Sequence, residues 1–372
     1  MALRLVCCAG AGVGAILLAR RVLRARRAAA ALECVDEPDA APPNGPAPHA
    51  VRSLHVFPVK SCAGVAVESL DLDAWGIVGD RRFMVYRPGA TPRFVTQRQL
   101  AKMALVEACV RSAEDGGGLL LSLRSRIPHG PRHAWGLSPF APRARLDVRI
   151  DLRIAHSLPA VRVGIWDDTV DARDVGDDAA RWLSAQLREA VRLCWAAPDF
   201  QRPVDARYTP AYALRAGGTL PQVAFGDGYP LLLASTASLR RLNVAIVAAG
   251  GAAVPMSRFR ANVVVSCEQP FEEDRWKRVR IGDVEFAVVK GCSRCKIPTI
   301  DQRTAAVAPG PGGRGLGEPH VTLRKFRKRG DDVYFGQNLV PLATSGTIRH
   351  GDSVVVLERG EPTWDCHAVP AE

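Results

Sequence analysis

The stretch V-R-I-G-D-V-E-F-A-V-V-K-G-C-S-R-C-K-I-P-T-I-D, residues 279–301, bears most directly on the fold of this chain. Two runs rich in β-branched and aromatic residues flank Gly282-Asp283, a dipeptide that favours a tight turn, so the stretch predicts a β-hairpin. The second run leads into Gly291-Cys292-Ser293-Arg294-Cys295, which places two cysteines at the end of a predicted strand.

The rest of the chain repeats this pattern of short strands and turns. In L-D-V-R-I-D-L-R-I, residues 146–154, apolar and charged residues alternate, which predicts a strand with one buried and one wet face over its whole length. A second Gly-Asp pair, Gly351-Asp352, predicts another hairpin in T-I-R-H-G-D-S-V-V-V-L. Repeated short strands favour a mostly β (α+β) protein that contains a barrel.

Two segments have helical periodicity. One begins near Asp177 and the other near Ser235. The apolar residues on their predicted inner faces are Trp182, Leu183 and Leu187 in the first, and Leu239, Leu242 and Ile246 in the second. Residues 112–145 and 305–320 are rich in Gly, Pro and Arg, so we predict long loops there.

The net charge of +12 is unevenly distributed along the 372 residues. Six arginines lie within the first 27 residues. No RNA-recognition or zinc-finger motif accompanies the charge, so we predict no nucleic-acid partner and assign the excess to a membrane address and an anion-binding site.

The N-terminus contains an uncharged apolar run at residues 5–19, shorter than the ~20 residues that a helix needs to cross a bilayer. One arginine precedes this run and five follow it, an order that favours an N-terminal membrane anchor (residues 1–32) with the rest of the protein in the cytosol. A mitochondrial transit peptide and a disordered basic tail are the alternatives. Residues 33–50 form a Pro/Ala-rich linker.

Ten cysteines are scattered along the chain, so we expect free thiols in a reducing compartment. Cys292 and Cys295 alone have a spacing typical of metal or redox chemistry. We expect Arg294 and Lys296 to lower the pKa of the Cys295 thiol, and a thiolate binds soft metals or attacks electrophiles. The alternative is an inert core cysteine.

Motifs elsewhere accompany the cysteine pair: F-P-V-K-S-C at 57–62, D-R-R-F at 80–83, F-R-A-N at 259–262 and F-G-Q-N at 335–338. Together with C-S-R-C, these motifs resemble the MOSC domain family and its N-terminal β-barrel companion, and within it the mitochondrial amidoxime-reducing components. The resemblance covers about residues 51–358. It implies an N-terminal β-rich domain at 51–205, a MOSC β-barrel domain at 206–360 and a tail at 361–372.

The resemblance also implies a molybdenum–molybdopterin cofactor, with Cys295 as metal ligand and catalytic residue and Cys292 without an assigned role. The other cofactor-binding positions implied by it are Lys60, Ser61, Arg82, Arg260, Asn262, Ser293 and Arg294. Cations suit the phosphate of this cofactor, and amide or hydroxyl groups suit its polar ring. Lys296 and Gly228-Tyr229 depart from the usual family pattern.

By the same resemblance, the chain is an oxidoreductase that reduces amidoximes, hydroxylamines and related N-hydroxylated compounds. Electrons would come from cytochrome b5 and its NADH-dependent reductase, since the chain has neither a dinucleotide-binding G-x-G-x-x-G after a strand nor a haem C-x-x-C-H. The implied location is the mitochondrial outer membrane, facing the cytosol. Two alternatives stay open: a molybdenum cofactor sulfurase-like or carrier protein without N-reductase activity, and a tethered protein whose site has decayed.

Overall fold

The computed structural model describes residues 49–128 and 144–365. The predicted anchor, nearly all of the linker and most of the predicted tail lie outside these residues. Within the described chain, no helix combines the length and the apolar character needed to span a membrane.

The described chain is mostly β, as predicted. Its strands are β1 Val51–Val56, β2 Val65–Val67, β3 Ser69–Asp73, β4 Gly76–Ile77, β5 Phe83–Arg87, β6 Arg93–Phe94, β7 Val106–Ser112, β8 Gly118–Ser125, β9 Arg145–Asp151, β10 Ala160–Ile165, β11 Asp168–Asp174, β12 Arg192–Trp195, β13 Leu231–Ser235, β14 Val263–Val265, β15 Trp276–Ile281, β16 Val284–Ser293, β17 Lys328–Arg329, β18 Asp332–Pro341, β19 Gly346–Arg349 and β20 Val354–Arg359.

The α-helices in the described chain are α1 Asp177–Leu187, α2 Thr236–Ala248 and α3 His320–Phe326. The first two confirm the predicted helices, and the six apolar residues predicted on their inner faces are all buried. The hydroxyl of Ser235 caps α2 by accepting a hydrogen bond from the Ser238 backbone N–H (3.1 Å). Both helices therefore pack their apolar faces against neighbouring strands.

The largest sheet has nine strands and contains the predicted hairpin. Its strand order is β2-β1-β14-β13-β18-β16-β15-β20, with β17 paired to β18. β15 and β16 pair antiparallel across the Gly282-Asp283 turn, with Val279 opposite Phe286. β1 pairs with β14 and β3 pairs with β19, so the first described strands are built into sheets with strands from the far end of the chain.

A closed barrel is formed by β10-β11-β12-β5-β6, within the N-terminal part of the described chain. Residues of β5 and β12, including Phe83 and Trp195, belong to the apolar core beside this barrel. A barrel was also expected from residues 206–360, but most described strands there belong to the open nine-stranded sheet, and β19 pairs with β3 in a separate three-stranded sheet.

Three local predictions are wrong. The strand predicted over 146–154 ends at Asp151, whose carboxylate accepts the Arg153 backbone N–H (2.9 Å) and starts a 3-10 helix, leaving Ile154 55% exposed. β19 and β20 do not form a hairpin across Gly351-Asp352, because β19 pairs with β3 and β20 with β15. β8 lies inside the loop predicted at 112–145 and pairs with both β7 and β9.

A buried ion pair links the 3-10 helix Glu272–Arg275 to the residue after α3. Arg327 donates two hydrogen bonds to the Asp274 carboxylate (2.6 and 2.9 Å), and Gln337 donates a third (2.7 Å).

We expect Asp274→Ala to lower the free energy of unfolding by about 3–5 kcal/mol, because it leaves the Arg327 charge buried and unpaired. Chemical denaturation measures this loss. Asp171→Ala is the matched control, since Asp171 is 87% exposed and lies 3.9 Å from Arg162, so a comparable loss there would contradict the argument.

Candidate functional site

Cys295 lies two residues beyond the end of β16, as the sequence predicted. The segment is held by Arg294, whose backbone N–H donates to Val333 O (2.8 Å) and whose Nη2 donates to Phe259 O (2.9 Å). Arg294 Nη1 donates to Cys292 Sγ (2.9 Å), so Cys292 helps to orient this arginine. Cys295 Sγ accepts one long hydrogen bond from the Ile297 backbone N–H (3.5 Å), which leaves the sulfur lightly engaged.

The predicted lowering of the Cys295 pKa is wrong. Burial raises the pKa of this thiol, and it outweighs the opposing effects of the Ile297 N–H, Arg294 and Arg98. Flanking cations in the sequence therefore do not determine the charge of this sulfur. A metal ion binding there would have to displace the thiol proton.

Arg260 is a deeply buried cationic residue of the predicted set. It is 7% exposed, and its Nη1 donates to Cys62 O (2.7 Å). Its guanidinium carbon lies 4.4 Å from the centre of the Phe57 ring. Burial lowers the pKa of Arg260 to about 9, with a further lowering from Arg81. Nη2 is buried and has no hydrogen-bond partner among the described residues, so it is available to an anionic ligand.

The two arginines of D-R-R-F point to different places. Arg82 Nη2 bonds to both carboxylate oxygens of Asp73 (2.5 and 2.6 Å), and its guanidinium lies over the Trp75 ring. Arg81 Nη1 instead donates to Asn262 Oδ1 (2.8 Å), and its Nη2 donates to Arg260 O (3.2 Å). The structure therefore groups Arg81 with Arg260 and Asn262 and does not bring Arg82 into this group.

Lys60 lies beside a loop that the sequence analysis did not select. Its ammonium is 4% exposed, donates to Phe225 O (2.8 Å) and forms an ion pair with Asp227. Burial lowers the pKa of Lys60 to about 8, partly offset by Asp227. Arg202 holds the same loop by donating to Gly226 O (2.6 Å) and Asp227 O (3.2 Å).

Ser61, Asn262 and Ser293 have different surroundings. Ser61 is buried at a φ of 64°, and its carbonyl accepts a hydrogen bond from Gln97 (2.8 Å). The amide of Asn262 is fully used within the protein: Nδ2 donates to His55 O and Asp80, and Oδ1 accepts from Arg81 and the Leu232 N–H. This amide therefore positions Arg81 and Asp80. Ser293 is exposed at the end of β16.

Arg98 and Trp166 also belong to the site. The guanidinium carbon of Arg98 lies 4.1 Å from the centre of the Trp166 ring, and the charge of Arg98 acts on the Cys295 thiol. The Lys60 ammonium lies 5.7 Å from the centre of the same Trp166 ring. Trp166 Nε1 is buried without a hydrogen-bond partner in the described chain. The sequences W-D-D at 166–168 and T-Q-R at 96–98 carry these residues, but only their tertiary contacts show that they belong to the site.

The site thus combines the half-buried Cys295 thiol with several cationic side chains around it. Electrostatic effects connect Cys295 with Asp227, Arg294 and Arg98, and connect Asp227 in turn with Lys60 and Arg81. Cationic donors, including the unpartnered Arg260 Nη2, suit a phosphate, and a thiol suits a soft metal ion. These residues fit a phosphorylated, metal-bearing cofactor.

Two family models match separate parts of the chain. Residues 49–190 match the model of the MOSC N-terminal beta barrel domain, and residues 221–355 match the model of the MOSC domain. The chain belongs to the MOSC-domain family that includes the mitochondrial amidoxime-reducing components.

Individual relatives are of two kinds. The chain is 31% identical to mitochondrial amidoxime-reducing component 1 of Mus musculus over 320 residues, which cover 82% of each chain. It is 27% identical to the Homo sapiens protein of that name, again over 82% of each chain. It is also 27% identical to molybdenum cofactor sulfurase of Danio rerio over 276 residues, covering 68% of this chain and 28% of that protein.

Proposed function

We propose that this protein is a molybdenum cofactor-dependent oxidoreductase that reduces N-hydroxylated compounds such as amidoximes and hydroxylamines. The observation that carries the proposal is the placement of a lightly engaged cysteine, Cys295, among buried cations that retain unused donors. The likeness to amidoxime-reducing components along most of both chains supports the same activity.

Cys295 would hold the molybdenum through its thiolate, and Arg260 and Arg81 would bind the phosphate group. When bound, the cofactor supplies the two-electron chemistry of reduction. Asn262 keeps Arg81 oriented, and Arg294 holds the segment that carries Cys295. Arg98 and Trp166 would border the position where a substrate enters, because both lie beside the cluster around Cys295 and Lys60.

Electrons would come from cytochrome b5 and its NADH-dependent reductase. The sequence carries neither a dinucleotide-binding fingerprint nor a haem attachment motif, so an external donor suits the chain.

Metal analysis of the purified full-length protein, followed by amidoxime turnover with cytochrome b5, its reductase and NADH, tests the function. We expect stoichiometric molybdenum and amidine formation that requires all three donor components. A protein that contains molybdenum but transfers cofactor to an acceptor enzyme without turning over amidoximes would favour the second candidate, a sulfurase-like or carrier protein. The similarity to molybdenum cofactor sulfurase gives that candidate its support.

The proposed location is the mitochondrial outer membrane, with the folded part facing the cytosol. The mitochondrial names of the relatives and the apolar run followed by arginines support it. We expect a chain that lacks residues 1–40 to be soluble and to retain its activity, because the Pro/Ala-rich linker separates the proposed anchor from the folded part. Flotation on vesicles and turnover measure the two properties; membrane binding by the shortened protein would contradict the anchor assignment.

Lys60 should make cofactor retention depend on pH. Its pKa of about 8 means that the ammonium is charged below this pH and neutral above it, so its attraction for an anion is lost as pH rises. A bound phosphate raises this pKa, so we expect the loss to be centred at or somewhat above pH 8. Molybdopterin remaining after gel filtration at graded pH measures it. Lys60→Arg should move the loss to higher pH, because a guanidinium gives up its proton less readily than an ammonium, and an unchanged profile in that variant would contradict the role of Lys60.

A further inference from the structure

A second group of metal-binding side chains lies outside the residues that form the proposed cofactor site. One imidazole nitrogen of His49, the sulfur of Cys267 and one carboxylate oxygen of Glu272 all lie within 4.8 Å of one another. His49 precedes β1, Cys267 follows β14, and Glu272 begins a 3-10 helix. The fold therefore brings together ligand types from positions far apart in the chain.

Backbone hydrogen bonds hold together the segments that carry His49 and Cys267. The Ala50 N–H donates to Ser266 Oγ (3.0 Å), and the Ser266 N–H donates to Ala50 O (2.8 Å). These bonds hold the residues next to His49 and Cys267 against each other. The carbonyl of His49 also accepts the Val354 N–H (2.9 Å), so the start of the described chain is tied to β20 as well.

Backbone N–H groups orient the Glu272 carboxylate. Its Oε1 accepts backbone N–H groups from Glu268 (2.8 Å) and Gln269 (3.1 Å). Its Oε2 lies 3.6 Å from His49 Nε2, beyond ordinary hydrogen-bond range. Two ligands at ~2.1 Å from a tetrahedral zinc ion are ~3.4 Å apart, so this spacing is close to the edge of a zinc coordination sphere.

The surroundings contain buried polar atoms without partners. His49 Nδ1 and Glu273 Oε2 are both buried and have no hydrogen-bond partner among the described residues. Glu273 is fully buried, and burial raises its pKa to about 7. Burial, followed by the charge of Glu273, raises the pKa of Cys267. Arg359 Nη2 also lies 3.6 Å from Glu272 Oε2, on a half-exposed side chain.

We infer that His49, Cys267 and Glu272 form a zinc site. Imidazole, thiolate and carboxylate are all established zinc ligands, and water or Glu273 would complete four-coordination. Binding releases the Cys267 thiol proton to solvent as the Zn–S bond forms. The ion would link the segment just before β1 to the end of β14 and to the 3-10 helix Glu272–Arg275. The inference does not depend on the proposed activity.

Zinc binding to the full-length protein tests it. After removal of loosely bound metal with a chelator, equilibrium dialysis against buffered Zn²⁺ should give one zinc per chain. His49→Ala, Cys267→Ala and Glu272→Gln should each weaken the zinc affinity by at least ~100-fold. Cys109→Ala is the matched control, because Cys109 is also a half-buried free cysteine but lies on β7 outside the group. It should keep the zinc.

Cys295→Ala separates this site from the proposed molybdenum site and should also keep the zinc. Loss of zinc in Cys295→Ala, equal zinc in wild type and all three cluster variants, or no zinc in the wild type would each overturn the inference. Zn²⁺ should also raise the Tm of the wild type but not that of Glu272→Gln. This measurement holds even if Cys267→Ala folds poorly, and an equal rise in both proteins would overturn the site.

Discussion

Cys295→Ala should contain no measurable molybdenum and should not reduce amidoximes. In the proposed function the Cys295 thiolate is the one side-chain ligand to the metal, and alanine offers no donor atom. The substitution is small and lies in a partly buried segment held by Arg294, so the fold should persist. Metal analysis and turnover of the purified variant measure both effects.

Cys292→Ala is the control for this result. Cys292 accepts one hydrogen bond from Arg294, so we expect at most about a tenfold loss of activity from weaker orientation of that arginine. Molybdenum should remain bound. Equal loss of metal in the two variants would reverse the choice of ligand within C-S-R-C.

Arg260→Gln should weaken retention of molybdopterin by about 10- to 100-fold. A hydrogen bond to a charged group contributes about 1.5–3 kcal/mol, and the buried surroundings of Arg260 provide little solvent to replace it. Glutamine removes the charge and the unpartnered Nη2 while keeping a polar side chain. Molybdopterin per mole of folded protein, measured after dialysis, gives the effect.

Arg145→Gln makes the same change in charge at the start of β9. Arg145 is 60% exposed and pairs with Asp147, so screened solvent surrounds it and retention should not change. If the two variants lose cofactor equally, net charge rather than a specific anion site would account for retention.

The sequence predicted the parts of the fold that depend on local pattern. The helices at Asp177 and Ser235 and the hairpin at Gly282-Asp283 are present because local sequence supplies what each needs: helical periodicity in both helices, the Ser235 cap in α2 and the Gly-Asp turn in the hairpin. The predictions were wrong where a strand pairs with a segment far away in the sequence. Gly351-Asp352 makes a turn without a hairpin because β3 and β15 take the flanking strands, and local pattern does not reveal such partners.

For the candidate site, too, local motifs identified some residues, and only tertiary contacts identified the others. Motifs selected Lys60, Arg260 and Cys295, whose side chains belong to one connected cluster. They selected Arg82 and not Arg81, because adjacent residues just before β5 point in different directions and only tertiary contacts show that Arg81 faces Asn262. Asp227 was missed because its pairing with Lys60 spans a long stretch of sequence.

The pairing of β1 with β14 and of β3 with β19 has a consequence for synthesis on the ribosome. The partner of β1 is made about 200 residues after it, which takes roughly 10–40 s at ~5–20 residues per second. Throughout this interval the nascent chain exposes unpaired strand edges that favour aggregation. The protein should therefore depend on chaperones during translation, and its sheets are complete only when β19 and β20 have emerged.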